Sequence, residues 1–106
     1  MSDLEKDLAE LTRLVCSDDP VEVGRAQDRA LQRMGQLTAA RMLAAMAYDR
    51  MRAFAGRAQK FGTQAVLVAG ERVLWPVDSG ATDSERAKWG LAALAALQRA
   101  ASRAPL

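Results

Sequence analysis

The sequence predicts an α+β fold, mainly α, in which four to five helices pack on one β-hairpin at about residues 63–77. Apolar residues recur every three or four positions over three long stretches, which is the spacing of the buried side of a helix. One short segment instead carries β-branched residues on both sides of a glycine, as hairpins do. Hydrophobic residues make up 50% of the chain but aromatic residues only 5%, which favours closely packed helices over a sandwich core.

The length of 106 residues indicates one domain, residues 1–106, with a single modest core. The single cysteine, Cys16, rules out an intramolecular disulfide, and we expect it to be a small buried residue near the end of the first helix. The acidic N-terminus is unlike a signal peptide, and no apolar run is long enough to span a bilayer. These features predict a cytoplasmic protein that does not bind membranes.

Charge is distributed unevenly along the chain, although the net charge is only +2. Residues 1–20 carry two basic and six acidic side chains, and residues 21–60 carry eight basic and three acidic ones. This separation suits packing of the first helix on the middle ones, or head-to-tail association. Arg25, Arg29 and Arg33 recur every four residues, so weak nucleic-acid binding is a third functional hypothesis beside a merely solvated face.

The first two helices are predicted from their capping residues and apolar stripes. Ser2 begins a capping box, and Asp19 followed by Pro20 is typical of a second helix start. Gly35 ends the second helix or kinks it into the third. The expected stripes are Leu4, Leu8, Leu11 and Val15 in the first helix, and Val23, Ala26, Ala30 and Met34 in the second.

The third helix is expected to begin at Thr38 and to stop at Gly56. Met42, Met46 and Met51 lie within it. They are interpreted as core residues, with a pliable binding groove as the alternative.

The hairpin is predicted from Thr63 to Val77 with a two-residue turn at Gly70–Glu71. A two-stranded hairpin is marginal in water, so it must pack on the helices or pair across a dimer. The predicted turn places four residues on the face toward the helices: Val66, Val68, Val73 and Trp75.

The C-terminal helix is expected to open with a capping box of Thr82 and Glu85 and to break at Gly90. A second helical piece then starts at Leu91. Leucines separated by small residues in this piece permit close helix contact, within the chain or between two subunits.

Polar residues gather in the sequence where the third helix meets the hairpin: Asp49, Arg50, Gln59 and Gln64. Asp49 and Arg50 lie among apolar helix residues and cannot easily pair as sequence neighbours, so each needs a partner from elsewhere. The cluster is interpreted as a structural clamp between helix and hairpin, with a ligand-binding site and simple solvent exposure as the alternatives.

Several kinds of chemistry are excluded by residues that the chain lacks. There is no histidine, so Ser-His-Asp and Cys-His nucleophile systems and the usual Cys/His zinc sites are excluded. We predict no catalytic residue, metal site or cofactor. The alternative is a small enzyme that uses Asp49 or Glu71 as a carboxylate base, with Arg50 holding an anion.

The run DRMRAFAGRAQKFGTQ, Asp49 to Gln64, resembles the signature of an uncharacterised bacterial domain family, D-R, a short spacer, then G-[RK]-x-Q-x-[YF]-G-[TS]-Q. The segments from Val73 to Asp78 and from Asp83 to Leu91 are similar to its later elements. Cys16 stands where that family carries a histidine. The resemblance implies one fold unit and no assigned activity, and it picks out Asp49, Arg50, Gln59, Gly62, Thr63, Gln64 and Arg86.

From these observations we expect a small non-enzymatic binding or interaction module. We expect it to form a homodimer and to bind a protein, a peptide or a small anion at the junction between the third helix and the hairpin.

Overall fold

The fold is α+β and mainly helical, as predicted. The computed structural model describes residues 3–33, 35, 38–78 and 80–103. Within this part of the chain, helices and strands follow in the order α1 (Asp3–Val15), α2 (Pro20–Arg33), α3 (Thr38–Phe54), β1 (Ala65–Val68), β2 (Glu71–Leu74), α4 (Asp83–Lys88) and α5 (Leu94–Arg103).

The core lies between α1, α2 and α3. The expected stripes of α1 and α2 are confirmed where their side chains are described, because Leu11, Val15, Val23 and Ala26 are almost fully buried. Small side chains on α2 and α3 allow the two helix backbones to approach closely. Ser2, the side chain of Leu4 and Met34 lie outside the described residues.

Helix boundaries agree with the predicted caps. The Asp19 carboxylate accepts a hydrogen bond from the backbone N–H of Val21 at 2.9 Å, so Asp19 caps α2. The Thr82 hydroxyl accepts the N–H of Glu85 at 3.1 Å and caps α4 in the same way. Gly56 has a φ of 70°, which ends α3 after Phe54. Gly35, the one described residue between α2 and α3, lies in a turn, and α2 and α3 are separate elements.

The predicted hairpin exists, but its turn is one residue earlier than expected. Val66 pairs with Val73, and Val68 pairs with Glu71, so the turn is Ala69–Gly70. Both turn residues have positive φ, 52° at Ala69 and 81° at Gly70. Glycine therefore occupies the second turn position and not the first. A two-residue turn in which both central residues have positive φ matches the twist of the flanking strands.

The predicted inward face of the hairpin is only partly covered, since Val66 and Trp75 are half-buried but the other two residues are not. Val68 and Val73 are 57% and 36% exposed. Arg72 and Leu74, on the opposite face of β2, are half-buried and line a cavity with Leu97 of α5. α5 thus packs on β2 at Arg72 and Leu74, whereas Leu67, on the same face of β1, is 63% exposed.

Two further expectations are corrected. α5 begins at Leu94 and not at Leu91, since the Asp83 carboxylate accepts the Leu94 N–H at 2.9 Å and sets the helix start. Cys16 is exposed and not buried, and it directly follows the last residue of α1, Val15.

No helix in the described ranges combines the length and apolar character needed to cross a membrane.

Candidate functional site

The junction loop, residues 57–64, connects α3 to β1 and is held by three buried polar side chains. Asp49 is 0% exposed, Gln59 0% and Arg86 2%. Burying polar groups at this level is costly unless each one is hydrogen-bonded. Among the described residues, every buried side-chain nitrogen and oxygen has a partner.

Asp49 projects from α3 into the junction loop and accepts four hydrogen bonds. Its Oδ1 accepts the backbone N–H groups of Lys60 at 2.8 Å and Phe61 at 2.9 Å. Its Oδ2 accepts the N–H of Thr63 at 3.0 Å and the Thr63 hydroxyl at 2.7 Å. The loop therefore wraps its donors around one carboxylate, as anion-binding backbone turns do.

Gln59 takes the place of a peptide unit at the base of the hairpin. Its Oε1 accepts the Gln64 N–H at 2.8 Å, and its Nε2 donates to the carbonyls of Gln64 and Trp75, both at 2.8 Å. Its backbone N–H also donates to Pro76 O at 2.9 Å, and its carbonyl accepts the Asp78 N–H at 2.7 Å. Gln59 thus joins the junction loop to both chain segments at the base of the hairpin, the one before β1 and the one after β2.

Arg86 fixes the other side of the junction loop from α4. Its Nε donates to the carbonyl of Phe61 at 2.8 Å, and its Nη1 donates to Ala81 O and to Asp83 Oδ1, both at 3.1 Å. Phe61 is therefore held at its N–H by Asp49 and at its carbonyl by Arg86. Its ring packs against Trp89 at a centroid distance of 5.6 Å.

Arg50 points away from these three residues and crosses to the end of α1. Its Nε donates to Ser17 O at 2.7 Å, and its Nη2 reaches Cys16 O at 3.4 Å and Asp18 Oδ1 at 2.9 Å. A cation at the carbonyl end of a helix is favoured by the helix dipole. Its Nη1 donates to Gln64 Oε1 at 3.2 Å, which connects α1 to the start of β1.

The remaining predicted residues lie between the two groups. Thr63 is half-buried beside Asp49, and the Gln64 amide bridges Arg50 and the Thr63 hydroxyl, the latter at 3.3 Å. Gly62 has a φ of 92°, and a Cβ there would meet Leu94 Cδ1 at 3.1 Å. The positive φ therefore favours glycine at this position, and an added Cβ would also make the Leu94 side chain shift slightly.

An open groove of about 450 Å³ lies between α3, the start of β1, β2 and α5. Arg50, Gly62, Thr63 and Gln64 line its polar part, and Cys16 lies at its rim. Its other lining residues are apolar or carry long alkyl chains: Met42, Met46, Ala65, Arg72, Leu74, Leu91, Leu97 and Ala100.

The structure separates the predicted cluster into two parts. Asp49, Gln59 and Arg86 hold the junction loop in the interior, whereas Arg50 and Gln64 reach the groove. The sequence did not place Leu91 and Leu97 at a groove, because their spacing favours helix contacts. The methionines fit both interpretations, since Met46 and Met51 pack against the core while Met42 and Met46 line the groove.

The alternative site residues lie elsewhere. Glu71 is exposed next to the hairpin turn. Arg29 and Arg33 form ion pairs with α1, Arg33 Nη2 lying 2.8 Å from Asp7 Oδ2 and Arg29 Nη1 lying 3.3 Å from Glu10 Oε1. Much of the positive stripe on α2 is thus neutralised within the chain.

Comparisons of the chain with protein families, with curated proteins and with solved structures found no match. The candidate function therefore depends on the geometry of the junction and the groove.

Proposed function

We propose that this protein is a small non-enzymatic interaction module that binds a peptide or protein segment in the groove. The observation that carries the proposal is the composition of the groove wall. Met42, Met46 and Leu97 offer flexible apolar contacts, while Thr63 and Gln64 add fixed polar groups to the wall. Apolar walls with a few fixed polar groups are typical of binding clefts, and methionine adapts to varied partners.

A peptide suits this groove better than a small anion does. Each nitrogen of Arg50 already donates to an oxygen of the chain, to Ser17, to Gln64 or to Cys16 and Asp18. An incoming anion would compete with those partners, whereas apolar side chains need only fill the open wall.

The position of Asp49 supports a non-enzymatic role. Both of its oxygens are occupied by donors of the junction loop, and the residue is 0% exposed. A general base must reach a substrate proton within hydrogen-bonding distance. The second carboxylate considered, Glu71, lies on the exposed hairpin tip and outside the groove.

We also propose that the module is a homodimer and a relative of the uncharacterised bacterial family whose signature it resembles. The signature residues Asp49, Arg50, Gln59 and Gln64 are those that build the junction, which supports a shared framework.

The groove is tested by selecting peptides from a displayed random library on the wild-type protein and measuring their affinity by fluorescence anisotropy. Leu91→Gln alters a half-buried leucine of the groove wall. We expect this variant to weaken binding by roughly tenfold or more, as loss of one apolar anchor does at an interface.

The matched control is Leu31→Gln, which makes the same change at a leucine that is 46% exposed on α2, outside the groove. It should bind the selected peptides as the wild type does. Equal losses in both variants, or failure to select any peptide, would contradict the groove as a binding site.

A further inference from the structure

The outer edge of β1 is an open strand edge. β1 pairs with β2 on one side, and no other described residue forms a backbone hydrogen bond with its other side. Open edges carry unpaired N–H and C=O groups that are ready to pair with another strand. The part of the chain that is described contains no covering element for this edge.

The register shows which groups face outward. Val68 and Glu71 flank the two-residue turn, so they are a hydrogen-bonded pair, and Val66 with Val73 is the next one. The observed bond from the Trp75 N–H to Gln64 O, at 3.0 Å, continues the same alternation. The backbone groups of Ala65 and Leu67 must therefore point away from β2.

The two edges of the hairpin differ in their protection. β2 carries Glu71 and Arg72 and packs on α5. β1 has the sequence AVLV, with no charge and no proline, and its Leu67 is 63% exposed. Proteins usually blunt free edges with charges or proline, so an unguarded edge of this kind is typical of a pairing surface.

We propose that β1 pairs antiparallel with β1 of a second copy of this chain, forming a continuous four-stranded sheet across a twofold axis. The axis passes beside Val66, so that Ala65 of each copy pairs with Leu67 of the other. This arrangement satisfies both outward-facing residues of each strand with four backbone hydrogen bonds. The inference rests on the proposed homodimer and names its interface.

A second copy fits the edge better than an unrelated strand for three reasons. The twofold pairing is self-complementary, since Ala65 and Leu67 are the outward-facing residues of both strands. The edge is uncharged and the chain has a net charge of only +2, so like copies do not repel strongly. A hairpin of two strands is also marginally stable alone. A four-stranded sheet is more stable, because the exposed valine and leucine side chains of neighbouring strands then contact each other.

The interface is tested by sedimentation velocity over a concentration series with two variants. Leu67→Lys places a like charge near the axis in both copies, and Val21→Lys makes an equivalent change at a site on α2 that is also 63% exposed. We expect the wild type and Val21→Lys to dimerise alike. Leu67→Lys should raise the dimer dissociation constant by roughly tenfold or more.

A backbone test separates strand pairing from side-chain contact. Leu67→Pro removes an N–H that the isolated hairpin does not use, and proline is tolerated on a free edge. Circular dichroism checks that the fold is kept. In wild-type hydrogen exchange, the amides of Ala65 and Leu67 should become protected as the concentration rises, while that of Val68 is protected throughout.

Each outcome decides a different point. A wild type that stays monomeric at the highest concentration overturns the homodimer and this interface, and leaves peptide binding in the groove unaffected. A dimer that Leu67→Lys and folded Leu67→Pro both leave intact overturns the β1 interface alone, since the copies then meet on another surface. Equal weakening by Leu67→Lys and Val21→Lys also overturns it.

Discussion

At the scale of single residues, two buried side chains form hydrogen bonds that backbone groups usually form with each other. Asp49 accepts three backbone N–H groups of the junction loop, and the Gln59 amide bridges the Gln64 N–H and the Trp75 carbonyl. Such groups are expensive to bury alone but stabilising when every atom is satisfied. The loop's path therefore depends on the identity of these two residues more than on its own turn propensities.

Changing Asp49 to Asn tests this dependence. The new amide places N–H groups against backbone donors, so at least one donor loses its acceptor in the interior. We expect the free energy of unfolding to fall by about 3 kcal/mol in urea denaturation. Asp28→Asn, at an exposed site on α2, is the control and should change it by less than about 0.5 kcal/mol. Equal effects would show that Asp49 does not organise the loop.

The sequence predicted that Asp49 and Arg50 need hydrogen-bonding partners, but it did not identify those partners. Asp49 and Arg50 follow each other on a helix, which excludes a direct pair and implies contacts from elsewhere. Asp49 accepts hydrogen bonds from backbone amides within residues 60–63, and the positions of these amides depend on the loop conformation. Gly62, with its positive φ, shapes that loop, and no periodicity in the sequence encodes such a path.

At the scale of helices and strands, Arg50 connects three elements that are distant in sequence. It extends from α3, donates to the carbonyls of Cys16 and Ser17 after α1, and donates to Gln64 just before β1. Its bond to Asp18 adds little, since the Asp18 side chain is fully exposed. The carbonyl and amide contacts are thus the ones that hold α1 to the hairpin.

Arg50→Ala should leave the protein folded but less stable. Loss of these hydrogen bonds is expected to lower the free energy of unfolding by about 2 kcal/mol, measured by urea denaturation. Amide exchange should rise in the connection between α1 and α2. The control is Arg25→Ala, at an exposed arginine on α2, which we expect to be nearly neutral.

The two readings of Arg50 predict different results for this variant. A clear loss of stability with little change in peptide affinity supports a clamp between elements. Unchanged stability combined with lost peptide binding would instead assign Arg50 to the binding surface.

The starts of α2 and α4 were predictable, but the hairpin register and the start of α5 were not. Asp19 and Thr82 cap helices through local hydrogen bonds that depend on neighbours within three residues. The register depends on whether Gly70 takes the first or second turn position, and glycine suits both. The half-burial of Arg72 and Leu74 was not predicted because it depends on where α5 lies, which is a contact distant in sequence.

At the scale of the whole molecule, the uneven charge of the chain is used for packing. The acidic first helix contacts the basic second helix through Asp7 and Glu10, which face Arg29 and Arg33. These side chains are between 24% and 48% exposed, so each pair contributes little on its own. Together they favour one placement of α1, as the sequence led us to expect.

A charge exchange tests this role. Arg29→Glu combined with Arg33→Glu sets like charges against α1 and should lower the free energy of unfolding by about 1 kcal/mol. Adding Asp7→Lys and Glu10→Lys should recover most of the loss, because the pairs are restored with signs reversed. Thermal unfolding at low and high salt measures both effects, and salt should reduce them. A fourfold variant no more stable than the double one would contradict charge-guided packing.

The hydrogen bonds of the Gln59 amide connect the two strands at the base of the hairpin, and none of them involves the hairpin tip. The spacing of the strand ends, and with it one wall of the groove, is therefore independent of the bend at Ala69–Gly70. Foreign loops grafted at that bend would leave the rest of the protein in place, which makes the tip a natural position for displaying an added sequence.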